Sequence, residues 1–207
     1  MTLYEFAKRM FRFQFKLMGW NIQGVENLPV EGPVILAINH QSLWDPLVVA
    51  SSLPRKVSFM SKEELFSIPV LGGIFSKLGA FPVKRGQGDM NAIRQSLAIL
   101  KDGHVLGLFP EGTRSRTGEI QKGLPGMVLL MEKSKASVVP IKMFGTRHLL
   151  TKGWGNIAVV IGKPMTAQML LAPEGVENRR EWIADRIMQA MLELSISNNT
   201  PSNSRNL

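Results

Sequence analysis

Residues 33–46 read PVILAINHQSLWDP, and this stretch sets the expected fold. The run PVILAI has the length and apolarity of a buried strand, and the polar residues after it indicate a loop. Pro46 suits the first turn of a helix, because proline lacks the N–H that this turn leaves unpaired. A strand, a loop and a helix in this order predict an α/β unit with His40 and Asp45 in a loop at the strand end, where functional groups are usually presented.

The alternation of strand-like and helix-like segments continues along the chain. Short apolar runs predict strands at 33–40, 56–61, 79–85, 104–110, 136–144 and 157–162. Helical spacing of apolar residues predicts helices at 46–52, 89–102, 125–133 and 178–194. This order predicts an α/β fold with one mixed central sheet flanked by helices.

The domain boundaries follow from the length and from the two ends of the chain. At 207 residues the chain is long enough for one domain with a substantial core and marginal for two. We assign a basic N-terminal helix to residues 1–22 and a single domain to residues 23–195. Residues 196–207 are polar, and we expect this tail to be disordered.

The composition limits both the chemistry and the partners. The chain has no cysteine, which excludes disulfides, thiolate metal sites and a cysteine nucleophile. Its 25 Lys and Arg against 16 Asp and Glu give a formal net charge of +9, which favours nucleic acid, an acidic protein or an anionic membrane as partner. Nucleic acid is the weakest of these, since the chain has one tyrosine and no recognised nucleic-acid-binding motif.

Residues 3–20 favour the membrane among these partners. If this segment forms a helix, its four basic residues between positions 8 and 16 fall within an arc of roughly 100°. Apolar residues then cover most of the remaining helix surface. A broad aromatic face beside a basic stripe is typical of an amphipathic helix that lies in a bilayer interface. The alternative is an ordinary helix that packs on its own domain.

Two further segments bear on the membrane. Charges interrupt every apolar run of the N-terminus, so it does not resemble a secretory signal peptide. The apolar segment 65–83 contains Lys77, two prolines and three glycines, whereas a spanning helix needs about 20 mostly apolar residues. We expect loop and short helix there, and a protein that lies on the membrane without crossing it. Whether 65–83 enters the bilayer is left open.

His40 and Asp45 are the first candidates for chemistry. The two residues are five positions apart. If both lay on one helix, their side chains would diverge by about 140°, so contact requires a turn between them. Because a residue before proline is steered away from helical backbone, we expect Asp45 to cap the next helix with its main chain and to turn its carboxylate toward His40. An imidazole oriented by a carboxylate can remove a proton from an alcohol. The alternative is a simple cap beside a loop histidine.

The segment FPEGTRS, at 109–115, follows another apolar run. Its arginine, hydroxyl groups and main-chain N–H groups suit a phosphate monoester, and Gly112 lets the main chain approach a ligand closely. A polar surface turn with Gly112 at positive φ is the alternative.

Four segments together resemble a known family. NHQSLWD, GAFPVKR, FPEGTRS and VVPIKMFGT occur in this order between residues 39 and 146, about half the chain, and the arrangement resembles the lysophosphatidic-acid acyltransferase family of glycerolipid enzymes. The first and third segments fit the family patterns N-H-x-x-x-x-D and F-P-E-G-T-R-S without a break. The second matches at Phe81 and Arg85, although Lys84 occupies a place that is often acidic or variable. The fourth, around Pro140, is the least specific.

The resemblance implies an acyl transfer from acyl-CoA or acyl carrier protein to the sn-2 hydroxyl of 1-acyl-glycerol-3-phosphate, which gives phosphatidate. His40 would be the general base, and Asp45 would orient it and stabilise the imidazolium. The acceptor's phosphate and glycerol would be bound by Arg85, Glu111, Gly112, Thr113 and Arg114. Pro140 would help to shape the donor or acyl pocket.

The same resemblance sets expectations for cofactors and partners. No metal or other cofactor is expected, because a thioester is already activated. The expected partners are lysophosphatidate, the acyl thioester, an anionic membrane surface and, where it is the acyl donor, an acyl carrier protein. We expect the protein to be held peripherally or monotopically on the cytoplasmic face.

Other functions remain open at this point. The acceptor could be another lysophospholipid or glycerol-3-phosphate, the enzyme could be an acyl thioesterase, and a non-catalytic module could use the same surface only to hold lysolipid. Acyl-chain length, donor, acceptor headgroup and oligomeric state cannot be deduced from the sequence.

Overall fold

The computed structural model describes residues 1–68, 70–83, 89–149 and 157–197. Within these ranges the helices are α1 Leu3–Leu17, α2 Asp45–Ser52, α3 Glu63–Phe66, α4 Leu71–Lys77, α5 Met90–Lys101, α6 Gly126–Ser134 and α7 Arg179–Glu193. The strands are β1 Asn21–Gln23, β2 Val34–Ile38, β3 Val57–Lys62, β4 Ala80–Val83, β5 Val105–Leu108, β6 Ser137–Phe144 and β7 Ala158–Ile161.

The strands form one mixed sheet in the order β1-β7-β6-β2-β5-β3-β4. β2 pairs in parallel with β5 and β6, and β3 pairs in parallel with β4 and β5. β7 runs antiparallel to β6 and parallel to β1. The carboxyl ends of five strands, β2 to β6, therefore meet at one edge of the sheet, which is where open α/β sheets bind ligands.

Each face of the sheet is covered by helices. Alternate residues of β2 point to opposite sides, so that Leu36 and Ile38 belong to a core with α1 and α2, whereas Ile35 and Ala37 belong to a core with α5, α6 and α7. Because β2 is buried on both faces, its sequence is a continuous apolar run. The predicted single α/β domain with a mixed sheet and flanking helices is confirmed.

The start of the chain differs from the predicted helix. α1 ends at Leu17, and Gly19 follows with φ of 76°, a left-handed conformation that ends helices. Residues 21–23 form the unpredicted strand β1, which lies beside β7. Three residues with one apolar side chain carry no recognisable strand pattern, and only the pairing with β7 makes them a strand. The boundary placed at residue 22 thus falls inside β1.

α1 packs on the domain through one side. Tyr4 and Phe15 are buried, and the Tyr4 hydroxyl accepts a hydrogen bond from Val57 N–H at 3.1 Å. Thr2 and Glu5 form a capping box at the helix start, which explains the single acidic residue in this basic segment.

The beginning of the expected disordered tail is bonded to the sheet. Ser197 N–H donates to the Gln23 side-chain oxygen at 3.0 Å, and Gln23 Nε2 donates to the Ser197 carbonyl at 3.0 Å. The side-chain amide of Gln23 in β1 thus supplies partners for the main chain of Ser197, and the expected disorder of the tail stays a prediction. Residues 198–207 lie outside the described residues.

Candidate active site

His40 lies at the carboxyl edge of the sheet, two residues after the end of β2. The residue between them, Asn39, continues the pairing of β2 with β6 beyond the last main-chain pair, Ile38 with Ile141. Its side-chain nitrogen donates to the Met143 carbonyl at 3.1 Å, and its side-chain oxygen accepts from Met143 N–H at 2.7 Å. Because Asn39 is buried, these two bonds fix the direction in which the chain leaves the strand.

The turn after His40 brings Asp45 back to the imidazole. Asp45 Oδ2 lies 2.8 Å from His40 Nδ1 and also accepts from the main-chain N–H groups of Gln41 at 2.6 Å and Ser42 at 2.7 Å. Asp45 is fully buried, and His40 is 7% exposed. The structure thus brings the two side chains into the predicted contact.

The predicted main-chain cap is displaced by one residue. Trp44 occupies the N-cap of α2, and Asp45 is the first helical residue, where the positive end of the helix favours a carboxylate. The bias of a pre-proline residue against helical backbone is outweighed here by the donors that converge on Asp45 Oδ2.

An aromatic ring packs on the imidazole from the neighbouring strand end. Phe109 directly follows β5 and stacks on His40, with ring centroids 4.0 Å apart and an interplanar angle of 22°. Phe59 of β3 stacks in turn on Phe109 at 6.0 Å. Gly107 lies under Phe59, where a Cβ would collide with the ring. This stack restricts the orientations that the imidazole can adopt.

Glu111 and Ser115 hold the main chain of His40. Glu111 Oε1 accepts from His40 N–H at 2.8 Å, and Oε2 accepts from Gln121 N–H at 3.1 Å. Ser115 N–H donates to the His40 carbonyl at 2.8 Å. Both side chains are buried. Burial raises the pKa of Glu111, and its two main-chain donors act in the opposite direction.

Of the three residues between Glu111 and Ser115, two face outward, and Gly112 is half-buried. Thr113 and Arg114 are exposed, and Gly112 has φ of 71°, the conformation named above for a polar surface turn, so a role of Gly112 at a ligand stays a prediction. Any other residue at Gly112 would adopt this left-handed conformation at a cost of about 1–2 kcal/mol. The segment therefore presents one guanidinium and one hydroxyl at the surface beside His40.

The remaining predicted site residues are not seen next to His40. Arg85 lies outside the described residues. Pro140 is buried within β6, in register with Ala37, and its ring contacts Gly162. Since Ala37 precedes His40 by three residues, Pro140 lies about 10 Å along the strand direction from the main chain of His40. Its part in a donor or acyl pocket stays a prediction.

Several residues around the site were given no role by the sequence. Asn39, Phe109 and Ser115 lie within the two quoted motifs, and a buried amide directly after an apolar strand is a usable signal, because such a group must find partners. Arg147, which follows β6 at the same edge and lies beside Gly118, is a further exposed cation. Its position depends on the order of strands, which the sequence does not reveal.

The geometry supports proton abstraction at the surface of the sheet edge. Because the Asp45 carboxylate can only accept, we assign the imidazole proton to Nδ1, which leaves the lone pair on Nε2. An imidazole in this state can take a proton from an alcohol or from water. The exposed Arg114 supplies positive charge nearby for an anionic substrate.

Comparison with known proteins finds a matching family model and similar sequences. A family model described as Acyltransferase matches residues 19–144. The chain is 34% identical over 154 residues to the chloroplastic 1-acyl-sn-glycerol-3-phosphate acyltransferase of Arabidopsis thaliana, with 70% of this chain and 43% of that protein covered. It is 30% identical over 168 residues to the 1-acyl-sn-glycerol-3-phosphate acyltransferase of Bacillus subtilis, with 79% and 82% covered. The chain thus spans less than half of the plant relative and most of the bacterial one.

The fold is also similar to a solved structure. The crystal structure of the 1-acyl-sn-glycerophosphate acyltransferase of Thermotoga maritima matches with a TM-score of 0.67 and 25% sequence identity. The match covers 94% of this chain and 79% of that one. The similarity therefore extends well beyond the residues of the site.

Proposed function

The chain belongs to the acyltransferase family, and on this premise we propose that it transfers a fatty acyl group from an acyl thioester to the sn-2 hydroxyl of 1-acyl-glycerol-3-phosphate. The product is phosphatidate. The observation that carries the proposal is the buried contact of 2.8 Å between His40 Nδ1 and Asp45 Oδ2 at the carboxyl edge of the sheet. The acceptor is supported by the names of the plant and bacterial relatives, which are both 1-acyl-sn-glycerol-3-phosphate acyltransferases.

The proposed reaction uses His40 as general base and then as general acid. Nε2 takes the proton of the acceptor hydroxyl while the hydroxyl oxygen attacks the thioester carbonyl. The tetrahedral intermediate collapses to the new ester, and the leaving thiolate receives the proton from the imidazolium. The buried carboxylate of Asp45 stabilises the imidazolium between these steps and keeps Nδ1 turned away from the substrate.

The acceptor's phosphate is assigned to the outward-facing part of the 109–115 segment. Arg114 offers two parallel donors to phosphate oxygens, and the Thr113 hydroxyl and the main chain at Gly112 lie next to it in the sequence. Arg85 is retained as a further phosphate ligand on the basis of the family resemblance. Arg147 adds positive charge at the same sheet edge.

The donor is proposed to be acyl-CoA or acyl carrier protein, with no resident metal or other cofactor. A thioester carbonyl is reactive enough for a hydroxyl that a positioned base has activated, and such a base contributes roughly 10²–10⁴ in rate. Both donors are anionic, which suits the formal net charge of +9.

The lipid acceptor requires contact with a membrane, and α1 is proposed to provide it. Five large apolar side chains of α1 are exposed at spacings of three or four residues: Leu3, Phe6, Met10, Phe13 and Leu17. Residues at this spacing lie on one face of a helix. Arg9, Arg12 and Lys16 are exposed on the adjacent side, where they would meet anionic headgroups.

We place the protein peripherally on the cytoplasmic face of a membrane. Among the described residues, no helix is long and apolar enough to cross a bilayer. The apolar face of α1 would enter the headgroup region while its opposite side, with Tyr4 and Phe15, stays packed on the domain.

The proposal is tested with purified protein, lysophosphatidate and oleoyl-CoA or oleoyl-acyl carrier protein in vesicles. Free thiol and phosphatidate are followed together, and the expected result is equal, acceptor-dependent production of both. The His40→Ala variant should lose at least about 10²-fold in turnover while its melting temperature stays close to that of the parent. Thiol release without any acceptor would indicate a thioesterase, and unchanged turnover in folded His40→Ala protein would exclude the mechanism.

A further inference from the structure

We infer that Glu111 positions the general base and does not bind the acceptor. The inference rests on the proposed function, in which His40 is that base. It changes the role expected from the family resemblance, where Glu111 was grouped with the phosphate and glycerol ligands. The observations that carry it are the direction of its two oxygens, its burial and the contacts of the neighbouring residues.

Both oxygens of Glu111 are already used by main-chain donors of the protein. Oε1 accepts from His40 N–H at 2.8 Å, and Oε2 accepts from Gln121 N–H at 3.1 Å. The side chain is only 6% exposed, whereas Thr113 and Arg114 in the same segment are exposed. A phosphate could not approach a buried carboxylate without electrostatic repulsion and loss of these bonds.

The bonds of Glu111 complete a clamp on the main chain of His40. The His40 N–H is held by Glu111, and the His40 carbonyl is held by Ser115 N–H at 2.8 Å. Because these partners come from the loop after β5, the clamp fixes His40 relative to a different strand from its own. Asp45 and Phe109 orient the ring, and the clamp fixes the Cα position from which the ring projects.

The other bond of Glu111 ties the same loop to its far end. Gln121 lies ten residues beyond Glu111, so Oε2 closes the loop that carries Thr113 and Arg114. The segment FPEGTRS thus has two parts with different roles. The buried Glu111 and Ser115 hold the base, and the exposed Thr113 and Arg114 between them face the acceptor. A displacement of about 1 Å in the base is enough to lower a rate by 10²-fold, so the clamp acts on turnover.

The test compares Glu111→Gln with Glu119→Gln, which changes an exposed carboxylate of the same loop. An amide at position 111 keeps one acceptor but turns its NH₂ toward one of the two N–H groups, so one bond is lost. We expect Glu111→Gln to lower kcat by roughly tenfold to a hundredfold, with the KM for lysophosphatidate within about twofold of the parent. Glu119→Gln should change neither.

A second readout follows the base itself. In protein labelled with ¹⁵N at histidine, the His40 Nδ1–H signal should broaden or shift in Glu111→Gln and stay unchanged in Glu119→Gln. A rise in KM as large as the fall in kcat, or an unchanged kcat, would overturn the inference and leave the acyltransferase activity intact. Absence of acyl transfer in the parent protein would instead refute the proposed function.

Folding of the variant is checked separately. If Glu111→Gln does not fold, amide hydrogen exchange on the parent protein tests the inference in its place. The His40 main-chain N–H should be protected in the free protein and should not lose protection when glycerol-3-phosphate binds, because its acceptor is Glu111 in both cases. Rapid exchange of this amide, or protection that falls when glycerol-3-phosphate binds, would contradict the clamp.

Discussion

Asp45 presents its two carboxylate oxygens to very different surroundings. Oδ2 receives three donors, whereas Oδ1 is buried without a hydrogen-bond partner among the described residues. An Asn side chain could place its amide oxygen at the Oδ2 position and keep all three donors, with its NH₂ at the Oδ1 position. Asp45→Asn therefore removes the negative charge while it preserves the orientation of His40.

For Asp45→Asn we predict a loss of roughly 10²-fold in kcat, because the imidazolium loses its stabilising charge. The buried NH₂ without an acceptor should also lower the free energy of unfolding by about 1–3 kcal/mol. Initial-rate kinetics and urea denaturation measure the two effects. If the folded variant kept full turnover, the carboxylate would serve only to orient the ring.

Arg114, the proposed phosphate ligand, gives a second prediction for a single residue. One charge-assisted hydrogen bond to phosphate is worth about 1.5–3 kcal/mol, so Arg114→Ala should raise the KM for lysophosphatidate roughly tenfold to a hundredfold with kcat almost unchanged. Arg179→Ala, at an exposed arginine of α7, is the control and should have no effect. An equal rise in KM for lysophosphatidylcholine, which has no phosphate monoester, would argue against this role.

At the scale of elements, Asn39 acts as an extension of β2. Its two bonds to Met143 replace the main-chain pairs that would follow Ile38 and Ile141, so the chain can leave the sheet toward His40 while β6 continues. In Asn39→Ala, the buried N–H and carbonyl of Met143 lose these partners. We predict a fall of about 2–4 kcal/mol in the free energy of unfolding, measured by urea denaturation.

The same variant should also lose turnover, since the end of β2 carries His40, the proposed base. Asn91→Ala, at an exposed asparagine in the first turn of α5, should change neither stability nor turnover. Stability lost without any change in kcat would mean that the strand end and the position of His40 are independent.

The elements also show how far the sequence could predict the fold. The β2–loop–α2 unit was predictable because its apolar run, polar loop and Pro46 are all local signals. β1 was not, since its three residues become a strand only through β7. The sequence also did not predict that the aromatic residues of α1 lie on two different faces. One aromatic surface was expected, whereas Phe15 is buried against the domain and Phe13 is 66% exposed. Which aromatic residues a helix buries depends on the partner it packs against.

The site was predictable to a similar degree. The sequence predicted the contact of His40 with Asp45, because five residues of separation require a turn between them. The partners of Glu111 were not predictable, because they require β5 to lie beside β2, and strand order is a property of the whole sheet. A carboxylate next to Thr and Arg in a polar segment looks like a surface ligand until the fold shows that it is buried.

The burial of Glu111 also affects the whole molecule through pH. Its pKa is raised above 4.5 mainly by burial, so the native state retains a proton that the unfolded chain has already released. The stability from this proton is present below the unfolded pKa and is lost as pH rises through the native pKa. Glu111→Gln has no such proton. As pH rises above the unfolded value of about 4.5, the free energy of unfolding of the parent minus that of Glu111→Gln should therefore decrease.

Urea denaturation at a series of pH values measures this difference. Glu119→Gln serves as the control, because its exposed carboxylate should leave the pH profile parallel to that of the parent. Parallel profiles for Glu111→Gln as well would mean that Glu111 titrates alike in the native and unfolded states.

The placement of charge on the whole molecule predicts which surface meets the membrane. Arg9, Arg12 and Lys16 of α1 lie on one face of the sheet, whereas Lys101, Lys133 and Arg179 belong to the helices of the other. Changing either trio to Gln lowers the formal net charge of +9 by three. Each basic residue near an anionic surface contributes about 1 kcal/mol. Substitution of the α1 trio should therefore weaken vesicle binding by roughly 10²-fold, and substitution of the other trio by much less.

Vesicle sedimentation across a salt series measures this difference in binding, and the difference should shrink as salt screens the charges. Equal losses would mean that net charge alone, and not the face that carries α1, governs binding.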